Sequence, residues 1–579
     1  MRQDKFVKKK STLNKRYKTI DMKKILIGLF AFIVIAVLAL AFYFNNDTKS
    51  PYEEKNWGRF SGNFQAKDAP ADSYGKKYHA CDYSVSKSEI PTFKDSKISF
   101  AHKYAKSTSL PLMGSALIDV NNDGVDEFFV GGGQEQEDAL FSYQDGSFVT
   151  STFPLPKKSE KYSTYGAVSF DLDNDGNTDL FLTTDIGVLW YKNTGSGFEV
   201  RNMNVPFNEK SIGASVTFGD VNRDGFADIF VANYIKKDLM EGQTIFKDFN
   251  YGATSCLMFN NGDHTFTDKT EELGLKYVHN TFMGILVDID NDSWLDLVVA
   301  HDTGEVRTYK NEKGKKFTMK ANPTTGQYAY PMGIAVGDYN NDGNIDFFFS
   351  NTGSSVPVFM ARGDLAEEDV FNKDWILLRN DGNFKFTDVA KETKVADFEF
   401  SWGAIFQDFN LDGRQDLVVA ENYVDFPPHK LFKLPGRFLI QKSSGTFAAV
   451  EDQANAVNKN YAITPLTSDF NLDGYPDLAF ANLDGPAIVR LNQGGDANYI
   501  AVRLPENVKY MGSSVTVTKM DGSILNDAYV SGEGLGSDQT STLTFGLGAE
   551  TAVKSVKVAL PDGTFYDIPN PKVNAVNTL

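Results

Sequence analysis

The nine residues DLDNDGNTD, 171 to 179, carry a side-chain oxygen at positions 1, 3, 5 and 9 and a glycine at position 6. The pattern returns as DVNNDGVDE (119 to 127), DVNRDGFAD (220 to 228), DIDNDSWLD (288 to 296), DYNNDGNID (338 to 346), DFNLDGRQD (408 to 416) and DFNLDGYPD (469 to 477). Seven copies of one loop make the chain a repeat array. Hard cations such as calcium take about six oxygen ligands, and alternate residues of a tight turn can aim three side chains at one point. Glycine at position 6 supplies the positive φ that makes the turn.

The candidate ligands are Asp119, Asn121, Asp123 and Glu127 in copy 1; Asp171, Asp173, Asp175 and Asp179 in copy 2; and Asp220, Asn222, Asp224 and Asp228 in copy 3. They continue as Asp288, Asp290, Asp292 and Asp296 in copy 4 and Asp338, Asn340, Asp342 and Asp346 in copy 5. Copies 6 and 7 offer Asp408, Asn410, Asp412 and Asp416, then Asp469, Asn471, Asp473 and Asp477. A carbonyl at position 7 and water are expected to complete each shell, for up to seven Ca2+. Copy 1, with Glu127 at position 9, and copy 4, with Ser293 in place of glycine, are expected to bind more weakly.

An EF-hand begins with similar spacing but needs Glu at position 12 between two helices. Position 12 here is Val130, Leu182, Val231, Val299, Phe349, Val419 or Phe480, none of which can ligate calcium. The flanks are β-rich, as in AVSF and LFLTT around copy 2, so each loop joins two strands of a hairpin. Turn formation alone would explain one Asp/Asn/Gly cluster, but it requires neither the acid at position 9 nor seven repetitions.

Downstream of most copies a second hairpin is legible, as in VLWYKNTGSGFEV (188 to 200) and ILLRNDGNFKFTD (376 to 388). Each unit then holds four strands, and spacings of 52, 49, 68, 50, 70 and 61 residues suit propeller blades with insertions. The expected fold is all-β: a seven-bladed β-propeller over 91 to 497, followed by a small β-rich, sandwich-like domain over 498 to 579. After copy 7 only LAFAN and AIVRLN read as strands. Residues 91 to 104, PTFKDSKISFAHKY, resemble an outer strand and are expected to complete that last blade, joining the chain ends.

The nonapeptides with an upstream glycine (Gly114, Gly166, Gly213, Gly284, Gly333, Gly403) resemble the FG-GAP or VCBS repeats of integrin-α-type propellers; copy 7 departs with Thr464-Pro465. The tail, with GEGLGSDQ at 532 to 539, FGLG at 545 to 548 and LPDG at 560 to 563, resembles the ASPIC/UnbV domain, although Leu560 stands where that family usually has Trp. Together they resemble the cartilage acidic protein 1-like (CRTAC1-like) group over residues 91 to 579. The resemblance is specific for architecture and implies little about function.

The formal charge is −18, and the first 24 residues hold ten Lys or Arg against two acids, which leaves about −26 on the rest. Such a body is a poor partner for nucleic acid. Residues 25 to 44, ILIGLFAFIVIAVLALAFYF, form an uncharged apolar run long enough to cross the roughly 30 Å hydrocarbon layer. The expected layout is a basic cytoplasmic tail over 1 to 24, a transmembrane signal anchor over 25 to 44, a tether over 45 to 90 and an exported body. A cleaved signal peptide, with Ala39-Leu40-Ala41 as its cleavage site, is the alternative and would give a secreted protein. Cys81 and Cys256 either pair with each other or are bystanders.

Catalytic signatures such as HExxH, GxSxG and a P-loop are missing, the six histidines are scattered, and Arg362-Gly363-Asp364 is too short a motif to carry information. The expected role is a calcium-stabilised binding, adhesion or scaffold module for a protein or glycan; the alternative is a calcium-dependent enzyme acting on polysaccharide, a lyase or hydrolase. The partner surface is expected opposite the calcium loops, on insertions 233 to 255, 351 to 375 and 421 to 437, with Tyr234, Phe246, Tyr251, Phe359, Trp375, Tyr423 and Phe432.

Overall fold

The acid at position 9 of every loop is the first residue of a strand: Glu127–Val130, Asp179–Thr184, Asp228–Ile235, Asp296–His301, Asp346–Phe349, Asp416–Glu421 and Asp477–Leu483. Each pairs antiparallel with the strand before the loop, and in all seven hairpins position 9 faces the residue just ahead of position 1, as in Phe170↔Asp179 and Gly337↔Asp346. The loop is thus a closed unit with a fixed register. A computed structural model describes residues 84–205, 210–239, 253–353, 365, 369–423 and 433–579.

Six hairpins continue into two further strands and the seventh into one, giving six antiparallel four-stranded meanders and a seventh four-stranded sheet completed from elsewhere in the chain, among the described residues. They are called sheets 1 to 7 after their loops. The first strands, such as Thr164–Phe170 and Ser211–Gly219, are buried throughout, whereas fourth strands such as Phe198–Asn202 are half exposed. Burial on both faces explains why the inner strands read as unbroken apolar runs rather than alternating ones. Between sheets 2 and 3 the rings of Phe170 and Phe218 stack at 4.7 Å.

Phe93–Ser96 pairs antiparallel with Ile488–Asn492 as the outermost strand of sheet 7. The expected completion of the last sheet by a segment from before the first loop is therefore what the chain does. Phe93 seals it, edge-on to Phe409 at 5.8 Å and Phe438 at 5.3 Å. The first strand of sheet 7 also lies against that of sheet 1.

Four of the upstream glycines, Gly114, Gly166, Gly333 and Gly403, sit where first strands meet. A Cβ on Gly114 would fall 2.6 Å from the backbone of Gly166, and one on Gly333 2.6 Å from Gly403 Cα. Only a residue without a side chain allows that approach. At Thr464 the hydroxyl instead meets Ser537 Oγ at 2.9 Å.

The tail forms two sheets. Asn498–Arg503, Thr542–Gly548 and Val576–Thr578 make one; Ser514–Lys519, Ile524–Ala528, Val553–Ala559 and Phe565–Asp567 make the other. Their shared core, with Ile500, Val502, Val515 and Val556, is continuous with Val168, Phe170 and Phe218 of sheets 2 and 3.

Several expectations fall elsewhere. The basic tail, the apolar run at 25 to 44 and most of the tether, with Cys81, lie outside the described residues, as do Phe246, Tyr251, Phe359, Phe432 and Arg362-Gly363-Asp364. Among the described residues no helix is long and apolar enough to cross a membrane. Cys256 is a free, buried thiol. Three aromatics expected on the partner surface are instead core: Tyr234, Trp375 and Tyr423 are each at most 4% exposed. Trp375 packs on Phe348 and Phe398 and donates its indole N–H to Glu399 O at 2.9 Å. Large rings at strand ends are buried by the neighbouring sheet more readily than they are left in water.

Candidate metal centres

In all seven loops the position 1 carboxylate turns inward and accepts two backbone amides, those of positions 5 and 6. In copy 1, Asp123 N and Gly124 N reach Asp119 at 3.1 and 2.9 Å, and every other copy repeats the pair. Position 5 accepts from the amide of position 7, as in Val125 N to Asp123 Oδ1 at 2.9 Å. Position 6 has positive φ throughout, 69° at Ser293 and between 85° and 91° at the glycines. Ser293 therefore keeps the loop geometry of copy 4 despite its side chain.

The acid at position 9 closes the loop from below. One of its oxygens accepts the amide of position 2 in copies 1, 2, 3, 4, 6 and 7. The other accepts a backbone amide from the third strand at Asn193, Asn260, Asn311, Asn380, Gln441 or Asn492. In copy 1 the longer Glu127 takes Val120 N and the hydroxyl of Ser142 instead, so it fills the same place.

These donors suit a hard cation. Asp171, Asp173 and Asp175 bring one carboxylate oxygen each within 4.8 Å of one another, and so do Asp288, Asp290 and Asp296. Asp173 Oδ1, Asp290 Oδ1 and Asp346 Oδ2 are buried without a hydrogen-bond partner, an expensive state that a ligated cation would relieve. Burial raises the position 9 acids, Asp179 to about 7 and Asp228, Asp296 and Asp477 to about 8. Desolvated carboxylates this close call for a positive partner.

Two sets of residues escaped the sequence reading. The third-strand amides stitch neighbouring sheets: Asn311 Nδ2 donates to Val221 O of the preceding loop at 2.8 Å, Asn380 to Ile289 O at 2.8 Å and Asn492 to Phe409 O at 2.9 Å. Their signal was the Asn that opens each Asn/Gly turn. The second set is basic. Lys192 lies on Asp173 and Asp175, Lys310 on Asp290 and Asp292, Arg414 on Asp412, and Arg503 of the tail on Asp119 and Asp126. In copies 1, 2, 4 and 6 the loop carboxylates are therefore partly screened by a basic side chain of the protein itself.

The tail covers the loop side of the sheets. Arg503 donates to Gly124 O in loop 1, Asp171 N of loop 2 donates to Glu506 O at 2.7 Å, and Gly548 N donates to Leu411 O of loop 6 at 2.8 Å. From this cover the GEGLGSDQ segment descends between the first strands. Ser537–Asp538 pairs in parallel with Ser115–Ala116 of sheet 1, and Asp538 accepts from Ser169 of sheet 2. Just ahead of the segment, Ser531 meets Thr217 and Phe218 of sheet 3; Gly534 exchanges backbone bonds with Ile334 of sheet 5, and Gln539 accepts from Thr467 of sheet 7. A segment that touches five first strands lies where they converge.

Residues 119–182, 171–231 and 288–349 match the FG-GAP-like repeat family, and residues 504–579 match the ASPIC and UnbV family. Cartilage acidic protein 1 of Mus musculus is 24% identical over 510 residues, covering 80% of this chain and 73% of its own; that of Xenopus tropicalis is 23% identical over 510 residues, covering 80% and 72%. Among solved structures, BBS1N in complex with ARL6DN, soaked with lead, aligns at a TM-score of 0.39 and 10% identity over 69% of this chain and 97% of that one. YCF48 bound to D1 peptide aligns at 0.37 and 10% identity over 71% and 100%. The chain thus carries FG-GAP-like repeats within residues 119–231 and 288–349 and an ASPIC and UnbV domain over 504–579, and it is similar over 80% of its length to cartilage acidic protein 1.

Proposed function

We propose that the chain is a calcium-binding, seven-bladed β-propeller that is exported, held at the membrane by residues 25 to 44, and serves as an adhesion-type binding platform for a protein or glycan. The observation that carries this reading is the position of the tail. It covers the loop side and fills the axis, so the opposite side remains for a partner. By meander topology the second connection of a sheet leaves on the side opposite its first, and the sequence makes it long in sheets 3, 5 and 6. Long loops on a rigid scaffold are where binding concentrates. The FG-GAP-like repeats and the cartilage acidic protein 1 homologues agree with an adhesion-type module. Two buried acids of the GEGLGSDQ segment, Glu533 and Asp538, already accept hydrogen bonds from Val336 N and from Gly532 N and Ser169, so they lend no support to the polysaccharide-enzyme alternative.

Calcium stabilises the fold in this reading by about 2.7 kcal/mol per site at a hundredfold excess over the dissociation constant. Thermal melts should separate widely between calcium and chelator, and Asp173→Ala with Asp175→Ala should lose one equivalent of bound metal. Superimposable melts would refute the calcium assignment. Shortening the insertions of sheets 5 and 6 should abolish capture of a protein or glycan ligand from an array while the calcium-dependent melt stays intact. Loss of capture only on removing 498 to 579 would move recognition to the tail.

A further inference from the structure

The seven loops are alike in backbone and unlike in charge. Position 3 is Asn in five copies and Asp in two, Asp173 of copy 2 and Asp290 of copy 4. Those two loops carry a third carboxylate beside positions 1 and 5, and they are the two on which a lysine closes. Lys192 Nζ rests on Asp173 Oδ2 and lies 3.0 Å from Asp175 Oδ2; Lys310 Nζ rests on Asp290 Oδ2 and lies 2.8 Å from Asp292 Oδ2. Both lysines occupy one register position, the third-strand residue just before the stitching Asn193 or Asn311.

At that position sheets 3, 5 and 7 have Phe259, Arg379 and Leu491, and Arg379 turns away to Asp381 at 2.8 Å. Among the described residues no Lys or Arg pairs with the candidate ligands of copies 3, 5 and 7. Charge at position 3 and a lysine on the neighbouring strand thus go together. The lysine side chains are only 15% and 19% exposed, and their ammonium groups lie over the rings of Trp190 and Phe384, so each is held in place.

We propose that Lys192 and Lys310 are resident counter-cations that set copies 2 and 4 apart from copies 3, 5 and 7. This rests on the calcium reading. A divalent cation entering copy 2 or 4 meets an ammonium already held by Oδ2 of the same two carboxylates at positions 3 and 5, and the two positive charges repel each other across a partly desolvated site. Copies 3, 5 and 7 present their oxygens with no internal competitor. They fill first, and copies 2 and 4 fill at higher cation concentration.

Trp294, at position 7 of loop 4, is an antenna whose amide donates to Asp292 Oδ1 at 3.0 Å and whose ring carries the Arg223 guanidinium of loop 3 at 3.9 Å, so every titration is run with Asp224→Ala to silence copy 3. Terbium emission excited through tryptophan is to be titrated in the full chain with Trp190→Phe, which removes the ring beside loop 2. Lys310→Met should lower the half-saturating terbium concentration by about tenfold or more. Asp290→Asn with Lys310→Leu, which gives copy 4 the pattern of Asn471 and Leu491 in copy 7, should tighten binding in the same direction. Chelator melts confirm that each variant is folded.

Titrations unchanged or weakened in both variants would overturn the proposal and make the lysines structural supports. If the parent chain shows neither terbium emission nor any calcium-dependent melt, the calcium reading fails. Emission with no shift between variants removes only the counter-cation assignment.

Discussion

At the scale of single residues, each loop holds two backbone positions in the left-handed region. Position 6 was expected from its glycine; position 4 was not. It is Asn122, Asn174, Arg223, Asn291, Asn341, Leu411 or Leu472, with φ between 55° and 59°. Asn tolerates this region because its short polar side chain bonds locally, whereas Leu and Arg gain no such compensation. Composition therefore under-reports the conformation, and only the loop's amide-to-carboxylate bonds enforce it. Ser293 is the one position 6 residue with a Cβ, held at φ 69°. Ser293→Gly should stabilise the chain by up to about 1 kcal/mol, the left-handed penalty less the added chain entropy of glycine. Urea midpoints in chelator measure it, and a midpoint at or below the parent's would show that the serine side chain contributes more than its strain costs.

At the scale of elements, the sheets are joined through their third strands as much as through their apolar faces. Asn311 donates to Val221 O of loop 3 and to Leu295 O of loop 4, and accepts from Gly314 N at 2.7 Å. It is fully buried. Asn311→Ala leaves two carbonyls and one amide without partners at about 1 to 3 kcal/mol for each that stays dry, so a loss of about 2 to 4 kcal/mol is expected. Calorimetry should show it with calcium present as well as absent, because these bonds do not involve the candidate ligands. A loss seen only in chelator would assign Asn311 to the metal loop instead. The same element-level logic makes Phe93–Ser96 indispensable, since without it Ile488–Asn492 would be an open edge of sheet 7.

At the scale of the whole molecule, the tail is built into the array rather than appended to it. Asp538 shows how tightly. Its oxygens accept from Gly532 N at 2.8 Å and from Ser169 N at 2.8 Å, and burial pushes it up to about 7. An unfolded carboxylate titrates near 3.9. The folded state therefore binds the extra proton between these values, and this group's contribution to stability is greatest below about pH 4 and declines as pH rises towards 7. In calcium, the stability difference between the parent chain and Asp538→Asn should shift in favour of the variant from pH 5 to pH 8. A difference that is flat with pH would mean that these donors keep Asp538 ionised throughout.

The nonapeptides made the loops and the all-β repeat legible, because each is encoded in contiguous residues, and the outer-strand pattern of 91 to 104, set against the strand missing after copy 7, made the completion of sheet 7 legible although its partner Ile488–Asn492 lies far along the chain. A loop closes through bonds between residues at most eight apart, and a meander pairs strands that follow one another. The distribution of charge among the loops and the use of the tail were not legible. Lys192 meets Asp173 only because the third strand folds back beside the first hairpin, and Arg503 meets Asp126 across 377 residues. The aromatics at the insertion stems misled for the same reason: whether Trp375 faces water or Phe398 depends on the neighbouring sheet, not on its own segment. Local hydrogen bonding is written along the chain, while desolvation and charge pairing depend on which distant surfaces packing brings together.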